Sequence, residues 1–310
     1  MSNEALRVVT LIASATEIVS ALGCGAHLVG RSHECDYPPE MVRLPVLTAP
    51  KFKVGGTSSE IDRKVRELVE QGLSVYRVDA DLLRSLAPDL IITQDHCEVC
   101  AVSLSDVEAA TCAWLGDKPR IVSLRPNSLD DVYEDIRVVA SALGVTATGE
   151  QLVQAMRQRL EDLRERTRAL PRPHVAFIEW GEPLMSGGHW MPTLIEVAGG
   201  ANLFGTAGQK SEILNWDELI ATDPEVIIIA PCGYDLDASQ REHAALARHP
   251  GWGGLMAVRE GRVFCADGNA FFNRPGPRLI ETAEIIAEIL HADVVNFGHQ
   301  GRGWERMLPT

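Results

Sequence analysis

Leu86-Ala87-Pro88-Asp89-Leu90-Ile91-Ile92-Thr93 is echoed 136 residues later by Thr222-Asp223-Pro224-Glu225-Val226-Ile227-Ile228-Ile229. Each copy reads as a helix end, a Pro-acid corner and a short apolar run suited to a buried parallel strand. Upstream, Leu22-Gly23-Cys24-Gly25-Ala26-His27-Leu28-Val29-Gly30 matches Ala198-Gly199-Gly200-Ala201-Asn202-Leu203-Phe204-Gly205 with one residue skipped; glycine stops a helix and a short strand follows. Downstream, Arg120-Ile121-Val122-Ser123-Leu124 and Arg262-Val263-Phe264-Cys265-Ala266 each precede a loop and an amphipathic helix. Three matches in one order point to two related halves.

Each half alternates strand and helix, so the expected fold class is α/β: two doubly wound lobes with mostly parallel sheets. Apolar residues at Leu152, Val153, Met156, Leu160, Leu163 and Leu170 predict one long amphipathic helix joining the lobes, ended by Pro171-Arg172-Pro173. The expected division is an N-terminal lobe over 1–147, a connecting helix over 148–171 and a C-terminal lobe over 172–310. The length of 310 residues suits two domains.

A net charge of -14 argues against nucleic acid, which calls for a basic face. No run reaches the roughly 18 apolar residues of a membrane span. The apolar stretch Val8 to Leu22 is broken by Glu17 and lacks a small-x-small cleavage pattern, so the expected location is cytoplasmic. Seven cysteines without an export signal then suggest free thiols or metal ligands over a disulfide framework.

Ligands of open α/β sheets bind beyond the carboxyl ends of the strands. In the first lobe this selects Ser14-Ala15-Thr16, Ser32 to Tyr37, Gln94 to Ser103 and Arg125 to Ser128. In the second it selects Glu179 to Trp190, Pro231 to Asp237 and Asp267 to Arg274, which carry Trp180, His189, Trp190, Tyr234, Phe271 and Phe272 among polar groups. Such a mixture suits a large flat ligand. Trp180 and Trp190 read equally well as core residues flanking a turn. Phe271 and Phe272 are adjacent, so an extended loop would expose at least one ring. The Gly187-Gly188-His189-Trp190 sequence suggests glycines that admit a ligand closely.

Three stretches resemble the substrate-binding proteins of ABC importers whose lobes are joined by one long helix, and within them the cobalamin-binding receptors. They are RVVTLIASATEIVSALGCGAHLVGRSHECDYPP at 7–39, NWDELIATDPEVIII at 215–229 and FFNRPGPRLIETAEIIAEIL at 271–290. The resemblance implies a small-molecule ligand, cobalamin or a related corrinoid, held between the lobes. It places an aromatic ligand contact on Phe271 and Phe272, and a first-lobe contact loop on Gln94 to Cys97, where the family's usual aromatic is replaced by Asp95 and His96. An ABC permease is the implied partner if the chain is exported.

A second reading comes from the thiols. Cys97 and Cys100 form a CxxC, and Cys35 lies in a loop expected at the same sheet edge, so the three could hold zinc or an iron-sulfur cluster, with His33, Glu34, His96 or Glu98 as a further ligand. Inert or redox-active thiols are the alternative. No GxxxxGK[ST], HExxH or GxSxG sequence is present, and no nucleophile is marked with its base, so a binding protein is favoured over an enzyme.

Overall fold

The computed structural model describes residues 6–52, 56–70, 75–94, 107–108, 111 and 119–308. The strands are β1 (Val8–Thr10), β2 (Leu28–Arg31), β3 (Thr48–Pro50), β4 (Tyr76–Val78), β5 (Leu90–Gln94), β6 (Arg120–Leu124), β7 (His174–Trp180), β8 (Met185–Ser186), β9 (Ala201–Asn202), β10 (Val226–Ile229), β11 (Val263–Ala266) and β12 (Trp304–Arg306). The helices are α1 (Ala13–Ala21), α2 (Ser58–Glu70), α3 (Ala80–Ser85), α4 (Leu129–Ala142), α5 (Thr146–Thr167), α6 (Met191–Val197), α7 (Trp216–Thr222), α8 (Leu236–Leu246), α9 (Met256–Arg259) and α10 (Leu279–Leu290).

The first sheet has the order β2-β1-β5-β6, and every pairing in it is parallel. In the second, β7 pairs in parallel with β9 and β10, and β10 with β11, while β8 and β12 are added antiparallel. The order β9-β7-β10-β11 thus repeats β2-β1-β5-β6, and the internal echo of the sequence is a repeat of topology. Even the corners correspond. Ala87 (φ 39°) and Asp223 (φ 48°), each just before a proline, take the left-handed conformation. Proline disfavours the right-handed helical region for its predecessor, so the helix ends there and the strand begins. Gly23 (φ 75°) and Gly199 (φ 88°) likewise end α1 and α6, in a conformation that costs glycine least.

The strands are apolar because they are covered on both faces. Val8, Val9, Ile91 and Ile92 are inaccessible to solvent in the first sheet, as are Val175, Ile178 and Val226 to Ile229 in the second. Helix α5 matches the expected long helix but starts at Thr146 and ends at Thr167, with Val153, Met156, Leu160 and Leu163 buried at helical spacing. Gly149 lies in its first turn, where a side chain would run into Ala140 of α4.

The chain divides into two compact units. One comprises Met1–Gly56, Arg63–Pro126 and Asp130–Ala155, the other Thr57–Asp62, Asn127–Leu129 and Met156–Thr310. The boundary therefore falls inside α5, and two short segments from the first half of the sequence count with the second unit. One expectation about the amino-terminal segment changes. Ser14, Thr16 and Glu17 are buried within α1, which begins at Ala13 without a side-chain cap, and Thr16 shares a 2.7 Å hydrogen bond with Thr10. These residues are packing, not an open ligand loop.

Candidate functional site

Because β7, β10 and β11 run parallel, their carboxyl ends share one edge of the second sheet. The loops leaving that edge are tied to one another through the backbone. Cys232 N–H donates to the Glu179 carbonyl at 3.3 Å, and Asn269 N–H donates to the Tyr234 carbonyl at 2.9 Å. Gly268 packs so closely on the carbonyl of Pro231 that no side chain fits there. Asp235 caps α8 by accepting from Ala238 N–H at 2.8 Å, and Asp267 caps the following π turn by accepting from Ala270 N–H at 2.7 Å.

On this platform Trp180 and Tyr234 meet edge to face, with ring centroids 5.4 Å apart, and both rings are half-buried. The indole N–H of Trp180 donates to the Glu182 carbonyl at 3.1 Å, which fixes the ring. Burial pushes the Tyr234 phenol up to about 12; the Glu242 carboxylate adds to this and Arg241 opposes it, so the ring presents a neutral hydroxyl. Beneath lies Glu242, nearly inaccessible, accepting a 2.7 Å hydrogen bond from Ser58 Oγ. Burial raises its carboxyl above the usual range, the Ser58 bond opposes that, and Glu182 adds to it. Gly181 rests directly on this carboxyl, so a side chain there would displace it. The sequence offers no signal for Glu242 or Ser58, since each sits in a helix that reads as solvated.

Several expected contacts are internal supports. Phe271 (1% exposed) and Phe272 (0%) are both buried, which corrects the expectation of an exposed ring. The reason is local geometry: residues Gly268–Phe272 form a π turn instead of an extended loop, so adjacent side chains no longer point to opposite sides. Phe272 stacks on Phe177 at 5.6 Å, and the Arg278 guanidinium lies 4.3 Å over Phe271. Trp190 is also buried, and its indole N–H donates to the Phe272 carbonyl at 2.9 Å. The glycines before it are needed by the chain itself: a side chain at Gly187 would strike Phe177, and one at Gly188 the backbone of Gln209 and Lys210. That corrects the reading of them as openings for a ligand. His189 (φ 54°) is half-buried, held by backbone hydrogen bonds to Gln209 and Gly208, and burial lowers its pKa.

In the first unit, Cys35 is fully buried, while Asp95, His96, Cys97 and Cys100 lie outside the described residues. Among the described residues no three His, Cys, Asp or Glu side chains are grouped to hold a metal ion. The loop at the carboxyl end of β2 instead gathers Ser32, His33, Glu34, Thr48 and Tyr76 through hydrogen bonds.

This two-unit α/β architecture belongs to a known class. Residues 8–270 match the periplasmic binding protein family, and the chain belongs to it. Relatives are similar over nearly the whole length. The uncharacterized ABC transporter substrate-binding lipoprotein YvrC of Bacillus subtilis is 26% identical, with 94% of this chain and 82% of the relative covered. The vitamin B12-binding protein of Vibrio cholerae is 25% identical, covering 92% and 88%. Among solved structures, a periplasmic heme-binding protein from Pseudomonas aeruginosa has a TM-score of 0.69 at 21% identity, covering 93% of each chain. The periplasmic vitamin B12-binding protein BtuF of Vibrio cholerae has a TM-score of 0.63 at 21% identity, covering 92% and 96%. These likenesses establish the fold.

The cytoplasmic expectation is overturned by the same findings, since the family is periplasmic and the Bacillus relative is a lipoprotein. The physical reason is plain in the fold. Val8 to Leu22 forms β1 and α1 of the first unit, so its hydropathy reflects burial and carries no address.

Proposed function

We propose that this protein is the ligand-binding component of an ABC importer and that its ligand is a corrinoid or a similar metal chelate. The observation that carries this reading is the Trp180–Tyr234 pair at the carboxyl edge of the second sheet, two half-buried rings fixed edge to face on a platform of interlocked loops. Rings held in this way offer apolar faces to a broad planar ligand with little further loss of side-chain freedom. Support for the chelate comes from relatives of both kinds, proteins named for vitamin B12 and for heme. His189, half-buried, is a further contact in this reading, and the buried Trp190, Phe271 and Phe272 support the loops from within. An importer's permease is the expected protein partner. The zinc and iron-sulfur reading is not favoured by any described group of ligands.

Trp180→Ala should weaken chelate binding by about 1–2 kcal/mol, roughly 5- to 30-fold, through lost aromatic contact area. Titration of aquocobalamin and of ferric haem into wild-type and variant protein, followed by absorbance, measures this. Equal affinity in the two proteins would remove Trp180 from the ligand surface.

A further inference from the structure

Helix α8 buries Ser239, Glu242 and Leu246, a stripe at helical spacing. Its middle position holds a carboxyl where an apolar side chain would cost less to bury. Two neighbours show what the carboxyl does there. The first is Gly181, the residue that follows β7. A left-handed backbone calls for glycine, but Gly181 is not among the glycines with positive φ. What excludes a side chain at this position is the Glu242 carboxyl itself, which occupies the room a Cβ would take.

The second neighbour is Ser58, buried at the start of α2, whose hydroxyl donates to Glu242 Oε1 at 2.7 Å. A capping box holds that turn of α2. Thr57 N–H donates to Glu60 Oε2 at 3.0 Å, and Glu60 N–H donates to Thr57 Oγ1 at 3.3 Å. Residues 57–62 and all of α8 belong to the same unit.

Gly181 joins Trp180 to Glu182, and the indole N–H of Trp180 donates to the Glu182 carbonyl. The carboxyl therefore lies against the middle of the three residues that fix this ring. The other ring, Tyr234, leads directly into α8 through the Asp235 cap, and the Glu242 carboxylate helps to raise its phenol. We infer that Glu242 is a positioning residue for ligand binding: braced by Ser58, its carboxyl is the post on which Gly181 rests, and it sets Trp180 against Tyr234. Neither Glu242 nor Ser58 touches the ligand. A ring fixed before binding loses less freedom on binding, so the post acts on affinity by preorganisation. The inference rests on the chelate reading above and deepens it, since the recognition surface is set from beneath. The contact with Gly181 is one of volume, which an amide of the same shape supplies equally.

The test begins with the ligand-free, full-length protein. Near-ultraviolet circular dichroism gives the Trp180 band as the difference from the matching Trp180→Phe protein. The same proteins are then titrated with aquocobalamin and with ferric haem. Glu242→Ala and Gly181→Ala should each diminish the Trp180 band and weaken binding of the chelate about 10-fold. Glu242→Gln keeps the shape and an acceptor for Ser58, and should recover most of what Glu242→Ala loses. In the Glu242→Ala background, Gly181→Ala should cost less than about 3-fold, because the added methyl enters the space the carboxyl has left. Lower urea midpoints with an unchanged Trp180 band and unchanged affinity would mean that Glu242 supports the fold alone, and would overturn the inference. An equal effect of Gly181→Ala in both backgrounds would overturn it as well. Where Glu242→Ala does not fold, Ser58→Ala decides: it releases the carboxyl, and a band and affinity equal to wild type contradict the inference. If wild-type protein binds neither chelate, the chelate reading fails and the role in binding with it, while the ligand-free band shows separately whether the post sets the rings.

Discussion

Phe272→Ala is expected to lower the stability of the second unit by about 3–5 kcal/mol, the range for removing a large aromatic from a closed core. The ring is inaccessible to solvent and stacks on Phe177, and its carbonyl anchors the indole of Trp190. Its removal leaves a cavity under the π turn that carries Asn269. Trp180→Ala, at a half-buried ring on the rim, should cost far less stability and act on ligand affinity instead. The pair of variants therefore separates support from contact. Chemical denaturation read beside a ligand titration shows which residue belongs to which class. A Phe272→Ala protein as stable as wild type, with only its affinity reduced, would mean that the ring is a direct contact after all.

A second large effect is expected at Asp135, in a position far from that platform in the sequence. This residue of α4 is buried, and its carboxyl is pushed up to about 7. Burial is the main cause; the backbone N–H of Arg125 opposes it, and Asp131 and Glu134 add to it. Between the unfolded value near 4 and about 7, the native state holds more protons than the unfolded chain, so stability falls as pH rises through that window. Below it both states are protonated and the slope vanishes; above about pH 7 the loss is complete, on the order of 4 kcal/mol. Asp135→Asn keeps an acceptor for Arg125 and removes the charge. It should leave stability nearly unchanged near pH 4 and raise it by up to a few kcal/mol at pH 8. Urea midpoints across this range measure it, and a wild-type protein whose stability is flat from pH 5 to 8 would contradict the assignment.

The architecture was legible because it rests on backbone punctuation. The Pro-acid corners before Leu90 and Val226, and the glycines at 23 and 199, dictate where helices stop and parallel strands begin, and the repeat of those signals carries the repeat of topology. The site was legible only as a set of loops. Alternation predicts an exposed ring at Phe271 or Phe272 if the backbone is extended, and a π turn cancels that rule without leaving a mark in composition. The Ser58–Glu242 hydrogen bond spans 184 residues, and the one between Thr48 and the His33 ring spans 15. Neither pattern is periodic, so neither can be read before the chain is folded. Location was misread because an apolar opening segment serves β1 and α1 whichever compartment the protein occupies.

The chelate assignment is tested most directly by equilibrium titration of the wild-type protein with aquocobalamin and with ferric haem, each followed by visible absorbance and by tryptophan fluorescence. The expected result is saturable one-to-one binding of at least one of them, with Trp180 fluorescence quenched and affinity reduced in Trp180→Ala. Absence of saturable binding by either chelate would contradict the account.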